Sequence, residues 1–222
     1  MPPTESVYRT IGGIPLRYVR VSPALTRVYV RSTYEFEDKL DRFSYNLASA
    51  APSRYGRLQW IATAGAYVNK PGYHGMGRAF DLDVVKWRNV ACRPIRGHHR
   101  SDRLARRRRY IGVDALARRW FKYVLDAWYN PAHRDHMHLD DGGGALVFNT
   151  GYRSDTVFIQ RAANLMINAN LAIDGLYGPL TDAAFHKMKN RVDVPHRVHV
   201  SPRIYRRFLW RLAIHALRNK PL

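Results

Sequence analysis

Between residues 58 and 85 the chain reads as strand, glycine-rich turn, strand, and no other feature restricts its folding as strongly. Leu58, Trp60, Ile61 and Val68 mark a β-like first segment. Lys70-Pro71-Gly72-Tyr73-His74-Gly75-Met76-Gly77 follows, with glycines that tolerate backbone conformations other residues resist. Ala79-Phe80-Asp81-Leu82-Asp83-Val84-Val85 then reads as a second strand. A tight glycine turn lets the chain double back. An imidazole on the loop, His74, can therefore meet a carboxylate on the strand, Asp81, at one point.

Around this centre the other elements fall into place. Residues 7 to 35 alternate apolar and polar positions and predict short strands or an extended arm. Phe36, Leu40, Phe43 and Leu47 recur at helical spacing from Glu35 to about Ala51. Residues 93 to 109 read as a basic loop containing His98, His99 and Arg106-Arg107-Arg108-Arg109, and a helix is expected from Val113 to Trp128. His133 to Asp140 reads as a turn entering a strand, and Asp141-Gly142-Gly143-Gly144 as a flexible break. Two or three helices are expected beyond it, near 155–168, 180–190 and 202–218. The order predicts an α+β fold, a small antiparallel sheet with flanking helices followed by a small three-helix domain. The boundary is placed near Gly151, giving a catalytic unit over 1–150 and a second unit over 151–222.

Charge narrows the partners. The 222 residues carry 37 Lys and Arg against 17 Asp and Glu, a formal net charge of +20. Such a field draws a protein to polyanions, among them nucleic acid, anionic membranes and the teichoic or lipopolysaccharide layers of bacterial envelopes. Cys92 is the only cysteine, which excludes an intramolecular disulfide and a cysteine-rich zinc site. Met1-Pro2-Pro3-Thr4-Glu5-Ser6 lacks the basic-then-apolar layout of a secretory leader, and no apolar run approaches the ~20 residues that span a bilayer.

The chemistry-bearing residues form two segments. His136 and His138 lie two apart, and on a strand such residues share a face, so both imidazoles look into one cleft. Zinc accepts neutral imidazole nitrogen and carboxylate oxygen, and a catalytic site keeps a fourth position for water. Two histidines and one aspartate meet that count. Asp135 stands three residues before His138, near enough to curl back towards the same point. Asp83 and Asp140 are candidates for carboxylates that orient the ligating imidazoles, with surface salt bridging as the alternative.

His74-Gly75-Met76-Gly77-Arg78-Ala79-Phe80-Asp81 followed by Asp135-His136-Met137-His138 resembles the D-alanyl-D-alanine carboxypeptidases and L-alanyl-D-glutamate endopeptidases, zinc enzymes of the bacterial cell wall. Tyr129 to Asp140 is particularly similar to their extensin-like C-terminal domain branch. The resemblance covers roughly residues 35 to 141. It implies zinc ligands at His74, Asp81 and His138, a general base at Asp135, and an oxyanion-orienting role for His136 with His133 assisting. The serine that commonly precedes the first histidine by two is Gly72 here, and the family's upstream arginine is not evident, with Lys70 or Arg78 as possible replacements.

Farther along, Asp174-Gly175-Leu176-Tyr177-Gly178-Pro179-Leu180-Thr181 resembles the turn of a three-helix peptidoglycan-binding domain. Arg78, His133, Asp174 and Tyr177 are accordingly expected to touch substrate. The whole implies a zinc metallopeptidase that cleaves an amide bond in the peptide stem or cross-link of peptidoglycan. It would act as a monomer, without specific nucleic acid, on the wall and its anionic polymers or lipopolysaccharide. The absence of a leader suggests a phage-type lysin, made in the host cytoplasm and released to the periplasm or wall by another factor. The competing expectation is a nucleic-acid-binding protein or metal-dependent nuclease, resting on the net charge and the arginine run.

Overall fold

The computed structural model describes residues 5–21 and 26–222. The reading of Met1 to Thr4 as part of a leaderless start, and that of 22–25 as part of the extended arm, lie outside the described residues. In chain order the elements are β1 (Ser6–Tyr8), β2 (Thr10–Ile11), β3 (Ile14–Tyr18), β4 (Thr26–Arg27), β5 (Val30–Ser32), α1 (Tyr34–Ala50), β6 (Leu58–Gly65), β7 (Ala79–Trp87) and β8 (Ala91–Cys92). They continue with α2 (Leu104–Arg118), β9 (Tyr123–Leu125), β10 (Met137–Asp140), α3 (Arg153–Ile167), α4 (Pro179–Arg191) and α5 (Pro202–Leu217). The expected α+β architecture is present. Its main sheet runs β2-β3-β6-β7-β10-β9, antiparallel except where β3 lies parallel to β6, with β4 and β8 paired at its flanks.

α1 forms where the sequence places it. The Thr33 hydroxyl accepts from Phe36 N–H at 3.3 Å, and Glu35 and Glu37 sit in the first turn, where the helix dipole favours negative charge. Phe36, Leu40, Phe43 and Leu47 all face inward and are fully buried. The rings of Phe36 and Phe43 close on Phe121 at 5.4 and 5.8 Å. The helix ends at Ala50, and Ala51 turns extended ahead of Pro52, as a residue before proline prefers.

The central strand β7 alternates. Phe80 and Leu82 enter the core that also holds Met137 and Leu139 of β10, Leu40 of α1 and Leu116 of α2. Asp81 and Asp83 take the opposite face. In the antiparallel β7–β10 pair, His138 stands directly across from Asp81. A one-residue slip would bury the histidine and expose Leu139, so the hydrophobic pattern fixes the register that the site needs.

Two expectations for 93–128 need correction. Arg106 to Arg109 is not loop but the first half of α2, and the helix stops at Arg118, not Trp128. Arginine is a good helix former, and two members of the run find partners inside the fold. Arg108 donates to the Leu165 carbonyl at 3.0 Å, and Arg109 to the Ala91 carbonyl at 3.0 Å and the Tyr55 hydroxyl at 3.1 Å. Beyond the helix, Tyr123, Val124 and Leu125 extend to pair with β10.

The C-terminal helices form close to their expected bounds; α3 and α5 lie against α2, and α4 packs on α3. Gly112 lets α5 approach: a Cβ there would stand 3.1 Å from Leu217 and 3.3 Å from Ala216. The Tyr55 hydroxyl donates to the Leu217 carbonyl at 2.6 Å. Arg118, almost wholly buried, donates to Asp114 at 2.7 Å, Asp155 at 2.9 Å, the Val124 carbonyl at 2.9 Å and Ser154 at 3.1 Å. It thereby ties α2 and β9 to α3. Among the described residues, no helix is long and apolar enough to cross a membrane.

Candidate metal centre

His74 reaches the sheet through the glycine turn. The Met76 and Gly77 amides donate back to Gly72 and His74 carbonyls at 3.2 and 3.0 Å, and Arg78 N–H to Tyr73 at 2.9 Å. Gly75 has no substitute here, since a Cβ would fall 1.9 Å from the Lys70 carbonyl oxygen. The loop buries the His74 ring and aims its Nδ1 at the Ala66 carbonyl, 2.5 Å away. A carbonyl only accepts, so Nδ1 carries the proton and Nε2 presents a bare lone pair.

His138 is fixed from the other side. Its Nε2 meets the carboxylate of Asp140 at 3.1 Å, a contact that places a proton on Nε2 and turns Nδ1 towards Asp81. Asp140 is itself buried and accepts from Gly142 N–H at 2.8 Å through its second oxygen. Asp140 therefore orients an imidazole, as one of its two sequence readings holds.

The two inward nitrogens and an Asp81 oxygen face one another. His74 Nε2 lies 3.2 Å from Asp81 Oδ1 and 3.2 Å from His138 Nδ1, and His138 Nδ1 lies 3.0 Å from Asp81 Oδ1. Three such atoms at these separations repel unless a proton or a metal ion lies among them. Ligand bonds of about 2.0–2.1 Å in a tetrahedron put neighbouring donors roughly 3.3 Å apart, so the triangle has the edge that a zinc-sized ion requires. His74, Asp81 and His138 can hold a metal ion. The site's electrostatics agree. Burial opposes charge on His138, yet Asp140 and Asp81 on either side push its imidazole up to about 9. Burial would likewise raise the Asp81 carboxyl, but His138 and His74 hold it well below the usual carboxylate range. The position calls for positive charge.

Beside the triangle, His136 sits at the entry to β10 with Nε2 3.6 Å from Asp81 Oδ1. Its Nδ1 meets Asp135 Oδ1 at 2.7 Å, so the imidazole stands between Asp135 and the ligand set. The His133 ring packs 5.2 Å from that of His136 and 5.8 Å from that of His138. Burial and those two neighbours push its imidazole down to about 4, keeping it neutral near pH 7.

Other expected site residues lie apart from this cluster. Arg78 donates to Asp141 at 2.7 Å and covers the Tyr73 ring. Asp174 and Tyr177 belong to the turn between α3 and α4. Asp174 accepts from Leu176 N–H at 2.9 Å and Gln160 at 2.7 Å, while the Tyr177 hydroxyl donates to Asp182 at 2.8 Å.

Sequence reasoning missed Arg20. Just past β3, it spans Asp83, with contacts of 2.6 and 2.9 Å, and Asp135, at 2.9 Å. Asp83 is thus ion-paired by Arg20 and does not orient an imidazole. No motif marks Arg20, and only the parallel β3–β6 pairing brings it near. None of the protein-family models, curated proteins or solved structures compared with this chain matches it.

Proposed function

We propose that the protein is a zinc-dependent peptidoglycan peptidase, hydrolysing an amide bond in the peptide stem or cross-link of the bacterial wall. The observation that carries the reading is the His74–Asp81–His138 triangle, two oriented imidazoles and one carboxylate at tetrahedral spacing. That donor set suits zinc over magnesium or calcium, which take oxygen-rich shells. The sequence resemblance around His74 to Asp81 and Asp135 to His138 supports the choice of substrate.

When bound, zinc supplies Lewis acidity towards the scissile carbonyl and lowers the pKa of a water to ~7. The chain's own residues do the rest. Ala66 and Asp140 hold the far nitrogens of His74 and His138, so both rings turn their other nitrogen to the ion without rotating, and His138 gives up its Nδ1 proton as the ion binds. Acid–base work falls to the Asp135–His136 pair: His136 Nε2 takes the proton of the attacking water and returns one to the leaving amine. Asp135 holds His136 Nδ1, and Arg20 anchors Asp135 from behind. His133, neutral and adjacent, donates its Nδ1–H to the Asn130 side-chain oxygen at 2.7 Å and packs its ring against His136. The α3–α5 region, with its Asp174–Thr181 turn, would hold the enzyme on the wall.

The test is digestion of purified sacculi with zinc-loaded protein, followed by mass spectrometry of the soluble products. New stem-peptide termini that vanish with chelator are expected. Intact sacculi after treatment with zinc-loaded protein would overturn the reading.

A further inference from the structure

The arginine run singled out in the sequence is only half used by the fold. Arg108 and Arg109 bond to carbonyls, while Arg106 and Arg107 point into two separate clefts on either side of the first turn of α2. The first cleft, about 420 Å³, is lined by Lys86, Arg93, His98, Arg103 and Arg106 and contains no carboxylate. Among the described residues, the guanidinium groups of Arg93, Arg103 and Arg106 make neither an ion pair nor a hydrogen bond. The second cleft, about 660 Å³, is lined by His99, Arg100, Arg107, Trp128, Arg161 and Asn164. Three buried nitrogens around it, His99 Nδ1, Arg107 Nε and Arg161 Nε, have no hydrogen-bond partner among the described residues.

This arrangement works against stability. The first turn of α2 has no acidic residue, and its amide dipoles present positive charge to arginines that add more. From residue 93 to 109 the chain has eight arginines and a single acid, Asp102, which is exposed and makes no ion pair among the described residues. Burial and the surrounding arginines push His98 down to about 4. A fold that needed only a helix here would not crowd like charges at its positive end. An anion removes the conflict at both clefts at once.

We propose that the two clefts flanking the start of α2 form a binding site for the phosphate groups of a phosphorylated glycan of the bacterial envelope. Guanidinium forks pair with phosphate oxygens two at a time, and two adjacent clefts suit a polymer carrying repeated phosphates. Nucleic acid fits less well. The Trp128 ring already carries Arg161 at 5.4 Å and Tyr110 at 4.9 Å, so it offers no open platform for a base. Lys86 lies five residues along β7 from Asp81, roughly 17 Å of strand, so the site anchors the protein and takes no part in hydrolysis. The choice of an envelope glycan rests on the peptidase reading; the phosphate site does not.

The experiment compares binding of the full-length protein to immobilised lipopolysaccharide, to the same material after chemical dephosphorylation, and to a short DNA duplex. Variants are R103Q/R106Q and R107Q/R161Q, with R42Q as a control at an arginine already paired to Asp38. Each double variant is expected to lose at least about tenfold in affinity for the phosphorylated form, since each loses two charged contacts. R42Q and the dephosphorylated glycan should show no such dependence. Thermal midpoints of the double variants should stay level or rise, because like charges leave the helix start. Hydrolysis of soluble muropeptides, read separately, should be unchanged, and its absence in every form would indict the peptidase reading alone. Wild-type affinity in both double variants, or indifference to dephosphorylation, would overturn the proposal. Tighter binding of the duplex with the same arginine dependence would reassign the site to nucleic acid.

Discussion

Replacing Asp140 isolates what a buried carboxylate does for the metal centre. Asp140 does not face the ion; it holds His138 Nε2 at 3.1 Å and Gly142 N–H at 2.8 Å. Asp140→Asn keeps one oxygen for the Gly142 amide but sets an NH2 group against His138 Nε2, removing the acceptor and the charge that make His138 Nδ1 a better ligand. Loss of such an outer partner weakens metal binding about 10- to 100-fold, or roughly 1.4–2.7 kcal/mol. Asp140→Ala goes further, leaving two buried donors without partners and costing on the order of 1–3 kcal/mol of fold stability for each. The assay is competition for zinc against a chelator of known affinity, paired with thermal melts of the metal-free proteins. Asn should lose zinc affinity with a smaller fall in the metal-free midpoint than Ala, in which both donors lose their partner. Unchanged zinc affinity in Asp140→Asn would refute the claim that this carboxylate tunes His138.

Asp135→Asn should keep zinc and lose turnover by about 10²- to 10⁴-fold, measured on soluble muropeptides alongside metal content. Arg118→Ala should destabilise the fold by about 3–5 kcal/mol in denaturant titration, because Asp114 and Asp155 stay buried without their cation. Acid should weaken the fold through His98 and His99, which burial holds at about 4 against an unfolded value near 6.5. The unfolded chain takes up those protons first, so their contribution is complete above pH 6.5 and drains away as pH falls towards 4. Melting profiles of His98→Gln should be flatter over that window than those of the wild type.

Much of this centre is legible in the sequence because strand periodicity and glycine spacing are local. His74 on its turn, Asp81 on β7 and His138 on β10 follow from alternation and from Gly75, where only hydrogen fits. The α1 helix follows from Thr33 and the spacing of Phe36, Leu40, Phe43 and Leu47. What escapes is long-range. Arg20 is 115 residues from Asp135 in the chain, and nothing near it signals that contact. The start of α2, from 104 to 109, escapes for another reason: charge density reads as solvated loop, yet Arg108 and Arg109 bury their stems and bond to carbonyls supplied by distant elements. The bonds of Arg118 across to Asp155 and Ser154 are equally invisible to spacing. Asp83 and Asp140 look alike in sequence, and only the partner, Arg20 or His138, separates their roles.

Anomalous scattering at the zinc edge from crystals grown with stoichiometric zinc tests the central claim most directly. One strong peak is expected, about 2 Å from His74 Nε2, Asp81 and His138 Nδ1 together. A crystal without a peak there, or with its only peak at other side chains, would contradict the account.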